Sequence, residues 1–412
     1  MNSSQLLSLD DALLQLLGKA KKLEGSEIVS TFDADGRILD QEIHSELNVP
    51  SFDNSAMDGY AFCVNDWEQL NGVLRIGQRI PAGSQPTQLE VGHAARIFTG
   101  APVPSGADAV VMQEDCELLP DDFVKIKSKP FINQCIRKTG EDIGMGSCIL
   151  TSGQRLNPSS LGLAASVGLA NMRVSKRPRV ALFSTGDELV MPGDVAVSAL
   201  PPGAIFNSNR FFLRHLLERL GCSVRDYGNL PDNLEKTKDK FSEAIHGHDL
   251  ILTSGGVSVG EEDHVKPAVK SLGQLHLWAL AIKPGKPFAY GQLNVDKDSP
   301  VHFIGLPGNP VSSLVTFMLL VRPFVLALQG VKDSRIRPYQ IRADFNWPKA
   351  DKRREFLRVK RNDLGGLDLF PNQSSGVLTS AVWGDGLIDN PPGQTISRGD
   401  MVNFIPFLDW MS

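Results

Sequence analysis

The stretch Asp249–Asp263 carries residue types suited to binding an anion. Leu250–Leu252 is a short apolar run, as expected of a strand buried on both faces of a parallel sheet. Gly255-Gly256 then allows a sharp turn and lets a ligand approach the backbone, with hydroxyls from Ser254 and Ser258 beside it. Acidic residues follow at a predicted helix start, where they suit the positive end of the helix dipole. The pattern indicates either an anion or nucleotide site or glycines that serve turn geometry alone.

Four other segments with polar or turn-forming residues follow predicted strands in the same half of the chain. They are Ser184–Glu188, Asn229–Asp232, Lys283–Lys286 and Leu306–Pro310. Ligands of open α/β sheets bind at the carboxyl ends of the strands. The shared placement of all five segments therefore indicates a binding site more strongly than any one of them does.

The elements that must position these segments alternate between strand and helix from residue 176 to residue 330. The predicted strands are Arg179–Ser184, Cys222–Tyr227, Asp249–Thr253, Leu275–Ile282 and His302–Gly305. The predicted helices are Asn209–Leu220, Leu234–Ile245, one that ends near Leu272, and Val311–Leu328. Repeated β-α units of this kind make a parallel sheet with right-handed crossovers. We therefore predict a central parallel α/β domain at residues 177–330.

The first 176 residues are predicted to form a discontinuous domain and an inserted module. Ser8 and Asp11 have the spacing of a capping box, ahead of an amphipathic helix. The inserted module is β-rich, with predicted strands at Val73–Ile80, Ala94–Phe98, Ala109–Gln113 and Phe123–Ile126. A helix predicted at Leu156–Leu169 indicates that the chain re-enters its first domain near residue 140. The predicted boundaries are 1–50 with 141–176 for the discontinuous domain and 51–140 for the module.

Two segments of this half combine charged and turn-forming residues. Pro50–Ala61 interleaves Asx-type turn residues with Phe52, Met57 and Tyr60, as in an ordered functional loop or in a tight turn held by Asx hydrogen bonds. Arg137–Gly146 sets a basic pair against two acids among three glycines, as in a binding loop or in a glycine turn with surface charges. The residue types alone leave both alternatives open.

Residues 331–412 are predicted to form a small C-terminal β-barrel. Basic residues alternate with apolar ones over Arg353–Arg361, which predicts a strand whose basic side chains form a solvated face more often than a binding groove. Further predicted strands are Leu367–Phe370, Val377–Leu378, Gly399–Asp400 and Val402–Ile405.

Composition and charge exclude several classes of protein. The 412 residues carry a net charge of −5, which gives no electrostatic reason to expect nucleic acid or an anionic membrane as a partner. No uninterrupted apolar run approaches the length of a membrane span, and no signal-peptide pattern opens the chain. The five cysteines are scattered, without a Cys-x-x-Cys pair, which favours a reduced, cytoplasmic protein.

Common nucleotide and zinc signatures are absent from the sequence. Gly285-Lys286 is not a P-loop, because Leu280 occupies the position of the first glycine and Pro287 follows the lysine. No Gly-x-Gly-x-x-Gly follows a predicted strand. His246-Gly-His248 has no third ligand nearby in the sequence, and a surface turn is the favoured interpretation.

Six motifs in a fixed order nevertheless resemble one family. They are Phe52–Tyr60, Gly140–Ile143, Ser184–Glu188, Thr253–Gly260, Lys283–Pro287 and Leu306–Pro310. As a set they resemble the molybdopterin molybdenumtransferases, that is, the bacterial MoeA proteins and the related gephyrin E domain. The glycine and Pro-Gly-Asn-Pro motifs alone also resemble the molybdopterin adenylyltransferases, which lack the inserted module and the barrel. One departure is Ala279, where members of the family often carry a basic residue, and a contact there is left open.

The resemblance implies a reaction in which molybdate and adenylylated molybdopterin give the molybdenum cofactor and AMP in the presence of Mg2+. Molybdate and the pyrophosphate linkage are anionic, so their site needs basic side chains and backbone N–H groups. Carboxylates in the same site would repel these anions unless Mg2+ lay between them. On this basis we expect catalytic roles for Asp58, Asp142, Glu188, Asp232 and Asp263, of which Glu188, Asp232 and Asp263 are the predicted metal ligands.

The residues expected to bind the substrates come from both halves of the chain. They are Thr99, Arg137, Ser184, Thr185, Gly186, Ser254, Gly255, Gly256, Ser258, Lys283, Lys286, Pro307, Gly308, Asn309 and Pro310.

Two other functions remain open at this point: adenylylation of molybdopterin, and a non-catalytic scaffold that binds it. The resemblance also implies a homodimer, in which the Asp58 loop of one subunit reaches the strand ends of the other. Further expected partners are the adenylyltransferase and the molybdoenzymes, or their chaperones, that accept the cofactor.

Overall fold

The computed structural model describes residues 6–257, 264–293 and 300–411. Its first helix, Leu9–Leu17, begins as the capping-box spacing predicts, because the Ser8 hydroxyl accepts a hydrogen bond from the Asp11 backbone N–H at 3.1 Å. The buried face of this helix packs into the core of the central sheet, against residues such as Phe324 and Leu328.

Two stretches distant in sequence meet in the first part of the molecule. Strand Ser26–Ser30 pairs antiparallel with Asn171–Ser175, and Ile43–His44 pairs with Cys148–Leu150. The helix predicted near this return of the chain spans Pro158–Ser166, with the Asn157 side chain as its N-cap. The pairing fits a chain that leaves this region and re-enters it, although the domain boundaries themselves stay a prediction.

The intervening residues form a six-stranded sheet. In spatial order its strands are Ala109–Met112, Gly59–Phe62, His93–Ile97, Val73–Ile80, Phe123–Ile126 and Cys116–Leu119. A short helix, Val64–Gln69, follows the second of these, and a separate two-stranded pair joins Asn54–Ser55 to Ile136–Arg137. Sequence reasoning missed the strand at Gly59, where a Cβ would lie 1.8 Å from the Val111 carbonyl oxygen, so only glycine fits against the neighbouring strand.

The central sheet has six strands, four of which run parallel as predicted. In spatial order they are Ser223–Leu230, Arg179–Thr185, Leu250–Ser254, Val301–Leu306, Pro287–Leu293 and Gly273–Ala279. The helices around them are Asn209–Arg219, Leu234–Ile245, Val265–Leu272 and Pro310–Leu328. A separate two-stranded parallel sheet pairs Leu189–Val190 with Ile205–Phe206.

The last two strands of this sheet extend it in antiparallel fashion. Gly273–Ala279 pairs with Pro287–Leu293, which in turn pairs antiparallel with Val301–Leu306. A parallel pairing would need a crossover of about a dozen residues or more, and the connection from Ala279 to Pro287 is too short for one. The sequence analysis predicted the first of these strands at Leu275–Ile282 within a parallel sheet, but it ends at Ala279 and pairs antiparallel, and the second strand was missed.

The helix Pro310–Leu328 is long and apolar enough to cross a membrane by length and composition. In this fold 83% of the apolar 18-residue stretch of this helix is buried inside the protein. A π-helical segment, Phe317–Val321, lies in its middle. Its burial makes it a core helix of the α/β layer, in contact with the first helix of the chain.

The C-terminal part forms another six-stranded sheet, which Ile282–Lys283 joins from the central domain. Its other strands are Tyr339–Arg342, Arg354–Arg361, Leu367–Leu369, Gly386–Asn390 and Met401–Pro406, and two short helices span Thr379–Trp383 and Phe407–Met411. Val377–Leu378 and Gly399–Asp400 are not strands, so those two predictions were wrong.

Arg358 also departs from the expected solvated face. Its side chain is fully buried, and burial lowers the pKa of its guanidinium to about 10. The Ser380 hydroxyl and the backbone carbonyls of Phe356 and Ser374 accept its hydrogen bonds. Lys360 and Arg361, at the end of the same strand, are exposed as predicted.

Candidate functional site

A cleft of about 680 Å³ opens at the carboxyl ends of the parallel strands. Several chain segments between residues 185 and 312 line it, as expected for an open α/β sheet. Of the residues predicted to form the site, the cleft brings together Thr185, Gly186, Glu188, Asp232, Ser254, Gly255, Gly256, Pro307, Gly308, Asn309 and Pro310.

Two of the glycines are required by the shape of the cleft wall. Gly255 has a φ of +94°, and a Cβ there would lie 2.3 Å from the Thr185 hydroxyl oxygen. Gly186 has a φ of +126°, and its Cβ would lie 2.4 Å from a carboxylate oxygen of Glu188. Gly308 instead faces open space. Because these two glycines have no side chain, Thr185 and Glu188 can lie directly against the backbone of the cleft wall.

Asn209 ties two of these turns together, although the sequence analysis did not single it out. Its side-chain amide donates hydrogen bonds to the Ser254 hydroxyl at 2.8 Å and to the Gly308 carbonyl at 2.7 Å. The amide oxygen is buried and has no partner among the described residues. Because its partners follow 45 and 99 residues later, no local motif marks Asn209.

Three carboxylates line the cleft among the described residues. Asp187, Glu188 and Asp232 are exposed to it. The imidazole Nε2 of His264, which also lines the cleft, lies 3.1 Å from a carboxylate oxygen of Asp232. Two other predicted site residues, Ser258 and Asp263, lie outside the described residues.

The Pro-Gly-Asn-Pro turn leads directly into the long core helix. Asn309 is its N-cap and Pro310 its first residue, a position that proline favours. A helix start offers backbone N–H groups and the positive end of a dipole to an anion. One of these groups is already engaged, because the Val311 N–H donates to the Ser375 carbonyl at 2.9 Å.

The two predicted anion-binding lysines differ in their surroundings. The ammonium of Lys283 lies 3.0 Å from Glu355, which is almost fully buried, and 3.3 Å from Asp351. Burial opposes the charge of Lys283, but the hydrogen bond to Glu355 and the nearby acids outweigh it and raise its pKa. Lys286 is exposed and precedes Pro287, which lines the cleft. Neither lysine is among the described residues that line the cleft.

Ser184 is placed differently from its prediction as a substrate contact. It is buried at the end of strand Arg179–Thr185, and its hydroxyl has no hydrogen-bond partner among the described residues. Thr185, the next residue, reaches the cleft. The substrate-binding role of Ser184 stays a prediction.

The remaining predicted residues form a second group on the N-terminal half, which we call the acidic loops (residues 52–58, 99 and 137–142). Asp58 accepts hydrogen bonds from the backbone N–H and the hydroxyl of Thr99, both at 2.8 Å, and these hold the pKa of Asp58 below its usual range. Asp142 and Arg137 are exposed. None of these four residues lines the cleft.

Asp53 joins the two halves of the acidic loops. Its carboxylate accepts a hydrogen bond from the Lys138 ammonium at 2.8 Å and from the Thr139 backbone N–H at 2.8 Å. These contacts lower the pKa of Asp53, the Lys138 hydrogen bond most. The loops are therefore held in place by their own side chains, with Asp58 and Asp142 left exposed.

Models of three protein regions match the chain in succession. The MoeA N-terminal region (domain I and II) matches residues 7–168, the probable molybdopterin binding domain matches 181–327, and the MoeA C-terminal region (domain IV) matches 340–407. Together they cover most of the chain. The chain belongs to the MoeA family.

Individual MoeA relatives agree with this assignment. A molybdopterin molybdenumtransferase of Haemophilus influenzae is 42% identical over 86% of this chain and 85% of its own length. One of Nostoc sp. is 34% identical over 95% and 85%. A crystal structure of the molybdopterin biosynthesis moeA protein from Pyrococcus horikoshii OT3 has a TM-score of 0.83 at 26% identity, over 97% of this chain and 99% of that one. The MoeA fold thus extends over all the domains described above.

Proposed function

We propose that the chain is a molybdopterin molybdenumtransferase, which inserts molybdate into adenylylated molybdopterin, releases AMP and depends on Mg2+. The observation that carries the proposal is the strand-end cleft, where glycine turns and a helix start face two carboxylates, Glu188 and Asp232. Relatives that match nearly the whole chain carry this name. The turns and the helix start suit anionic substrates, and the carboxylates suit a hard cation.

The donors present in the cleft fit Mg2+. This ion prefers one or two carboxylates and completes its shell with phosphate oxygens and water. Glu188 and Asp232 would hold it, with Asp263 as a further ligand outside the described residues. When bound, it would supply positive charge between these acids and the phosphates of the substrate.

The side chains and backbone of the cleft would bind and orient the substrate. The Gly255-Gly256 turn and the start of the helix at Pro310, which carries the positive end of a helix dipole, would face the phosphates of the substrate. Asn209 holds these two turns at a fixed separation. Lys286, next to the rim, would add positive charge. Glu188 and Asp232 would also orient the water or substrate oxygens that move.

A second copy of the chain would complete this site. Asp58 and Asp142 are exposed and do not line the cleft of their own chain, although the resemblance gives both a catalytic role. Exposed apolar side chains adjoin them in sequence, namely Phe52, Met57 and Met145. A two-fold dimer, the commonest arrangement of soluble oligomers, would cover this surface and bring the acidic loops to the partner's cleft.

Two alternatives are distinguished by what the protein turns over. An adenylyltransferase built on the same α/β domain would consume ATP with unmodified molybdopterin. A scaffold would bind molybdopterin without converting it, and the acids retained in the cleft argue against that role. We place the transferase in the cytoplasm, in exchange with the adenylyltransferase before it and with molybdoenzymes or their chaperones after it.

One assay separates these functions. Purified protein is mixed with adenylylated molybdopterin, molybdate and Mg2+, and the release of AMP and of active cofactor is measured. The transferase predicts both products and neither when Mg2+ is replaced by EDTA. Turnover only with ATP and unmodified molybdopterin would indicate the adenylyltransferase, and binding without either product would indicate the scaffold.

A further inference from the structure

Three exposed side chains with different metal-binding atoms lie close together in the first part of the molecule. None of them belongs to the chain segments that line the cleft. They are Glu42, His44 and Cys148, and their ligand atoms all lie within 4.8 Å of one another. The backbone fixes two of them, because His44 and Cys148 are direct partners in the antiparallel pair of Ile43–His44 with Cys148–Leu150. This is the one such group of three among the described residues.

His44 is already oriented as a metal ligand would be. Its Nδ1 lies 3.1 Å from the Gly146 carbonyl oxygen, and its Nε2 lies 3.6 Å from a carboxylate oxygen of Glu42. A hydrogen bond from Nδ1 to a backbone carbonyl leaves the lone pair on Nε2, the nitrogen that faces Glu42. Metal-binding histidines commonly make such a hydrogen bond with the ring nitrogen that does not bind the metal.

We propose that Glu42, His44 and Cys148 bind one Zn2+-like transition-metal ion, with water in the fourth position. Thiolate, imidazole and carboxylate are the three ligand types that zinc takes in proteins, and a three-ligand set with an open position is common. Ligand atoms around tetrahedral zinc lie about 3.3–3.8 Å apart, as its bond lengths require. The His44 Nε2 and the Glu42 carboxylate oxygen are already 3.6 Å apart, and the widest separation in the group, at most 4.8 Å, needs to close by roughly 1 Å, which rotation of exposed side chains can provide.

Binding releases the proton of the Cys148 thiol. That thiol now donates a hydrogen bond to the Leu150 carbonyl, with 3.5 Å between sulfur and oxygen, which metal binding would replace. As a thiolate it would bond to the metal and its proton would pass to water, so the affinity should rise with pH. The soft sulfur and nitrogen donors also separate this site from the proposed magnesium site, whose donors are all oxygen.

The metal would fasten two segments that lead to the acidic loops. Ser45 and Gly146 already hydrogen-bond across them, since the Gly146 N–H donates to the Ser45 carbonyl at 2.7 Å and the Ser45 N–H donates to the Ser147 carbonyl at 3.0 Å. Asp142 lies a few residues before Gly146. A metal at this point would stabilise the folded protein by mass action without contacting the cleft.

The test uses full-length protein freed of metal with EDTA and kept in excess Mg2+. Zn2+ is titrated against a chromogenic chelator, and Co2+ is added separately to record the thiolate-to-cobalt charge-transfer band. We expect one Zn2+ per chain and a cobalt band that Cys148→Ser removes. His44→Ala, Cys148→Ser and Glu42→Gln should each weaken zinc binding by about tenfold or more.

A surface histidine–carboxylate pair without the thiol provides the matched control. His215 Nδ1 lies 3.1 Å from a carboxylate oxygen of Glu218 on the helix Asn209–Arg219, and His215 is exposed while Glu218 is partly exposed. His215→Ala should leave zinc affinity and the cobalt band unchanged. The proposal is wrong if zinc does not bind under these conditions, if the band survives Cys148→Ser, or if His215→Ala weakens binding as much as His44→Ala does. Melting in EDTA confirms folding, and Glu42→Gln keeps the test open if a cysteine variant does not fold.

Discussion

The strand-end cleft and the acidic loops both carry carboxylates, but they are built differently. The cleft encloses about 680 Å³, and its walls are fixed by buried groups such as Asn209 and by glycines that admit no side chain. The acidic loops lie at the surface, where Asp53 joins their parts and Asp58 is held by Thr99. One region has the concavity of a binding site, and the other carries oriented acids at the surface.

This difference is the reason why we propose that the acidic loops are one half of a site. Hydrogen bonds from Thr99 orient Asp58 and lower its pKa, while its side chain stays exposed. The cleft is open to solvent, and its described lining includes Glu188 and Asp232 but not Asp58 or Asp142. A two-fold dimer in which the acidic loops of one subunit meet the cleft of the other would account for both regions.

The largest effect is expected from Glu188→Ala. Removing a proposed metal ligand from the cleft should lower cofactor formation by about 100-fold or more, a loss comparable to that from a single transition-state contact. The melting temperature should not change, because Glu188 is exposed. We expect a similar loss of cofactor formation from Asp263→Ala.

Glu235→Ala is the matched control for this prediction. Glu235 is exposed, pairs with Lys238 on the surface of the helix Leu234–Ile245 and does not line the cleft. Full activity of Glu188→Ala with normal melting would remove Glu188 from the mechanism. The cleft would then no longer be favoured over the acidic loops as the place of catalysis.

The second prediction joins the two regions through subunit exchange. An Asp58→Asn variant and a Glu188→Gln variant should each be inactive and, when mixed, recover about one active site in two per heterodimer, since one interface then holds both intact halves. The measurement is AMP release after exchange, which mass spectrometry of labelled subunits verifies.

Two results would contradict the shared site. A heterodimer that forms without any recovery of activity would mean that Asp58 and Glu188 act within one chain or in separate functions. A monomer by light scattering at assay concentration would remove the dimer itself.

The third prediction separates the two lysines that sequence reasoning treated alike. Neutralising both should weaken substrate binding and make what remains less sensitive to salt. Because Lys283 already pairs with Glu355 and Asp351, we expect this effect from the exposed Lys286, and Lys286→Gln alone should weaken binding by about tenfold at low salt and less at high salt. Isothermal titration at two ionic strengths measures it, and equal affinities for variant and parent would count against the role.

Lys283→Gln is the contrasting variant. It would leave the buried Glu355 with a hydrogen bond from Trp347 but without its lysine partner. Since water screens the partly exposed ammonium, we expect a loss of about 1–2 kcal/mol in unfolding free energy and not the larger cost of a fully buried pair. Urea unfolding with an unchanged midpoint would show that Lys283 is not structural.

The smallest effect is expected from Thr99→Val. The variant removes the hydroxyl that donates to Asp58 and keeps the backbone N–H. The pKa of Asp58 should rise toward its ordinary value, so Asp58 becomes protonated at a higher pH and the acidic limb of the activity profile moves upward, with less than about a tenfold loss at neutral pH. A profile that falls in height without shifting would make Thr99 a substrate contact instead.

Elements with strong local signals could be predicted from the sequence. The helix Leu234–Ile245 has the predicted bounds, because its apolar spacing and its capping Asn233 lie within one segment. Strand Pro287–Leu293 was missed, since it begins with proline, contains Gly291 and is stabilised by antiparallel neighbours on both sides. Arg358 was misassigned for a similar reason, because the groups that cover it, such as Ser374 and Ser380, come later in the chain.

The site divides in the same way. Motifs identified the turns of the cleft, because the glycines and prolines that shape a turn are neighbours in sequence. They could not identify Asn209, which acts between distant turns, or show that Lys283 already has acidic partners in the C-terminal sheet. Side chains that contact distant parts of the chain leave no local sequence spacing to recognise.

The position of the first helix bears on how the protein is made. The apolar face of Leu9–Leu17 is buried against residues such as Phe324, which the ribosome adds about 300 residues later. During most of translation this face therefore has no native partner, and long-range contacts of this kind slow folding and expose apolar surface. We expect the nascent chain to depend on chaperones from its first residues onward, and its core to close only near the end of synthesis.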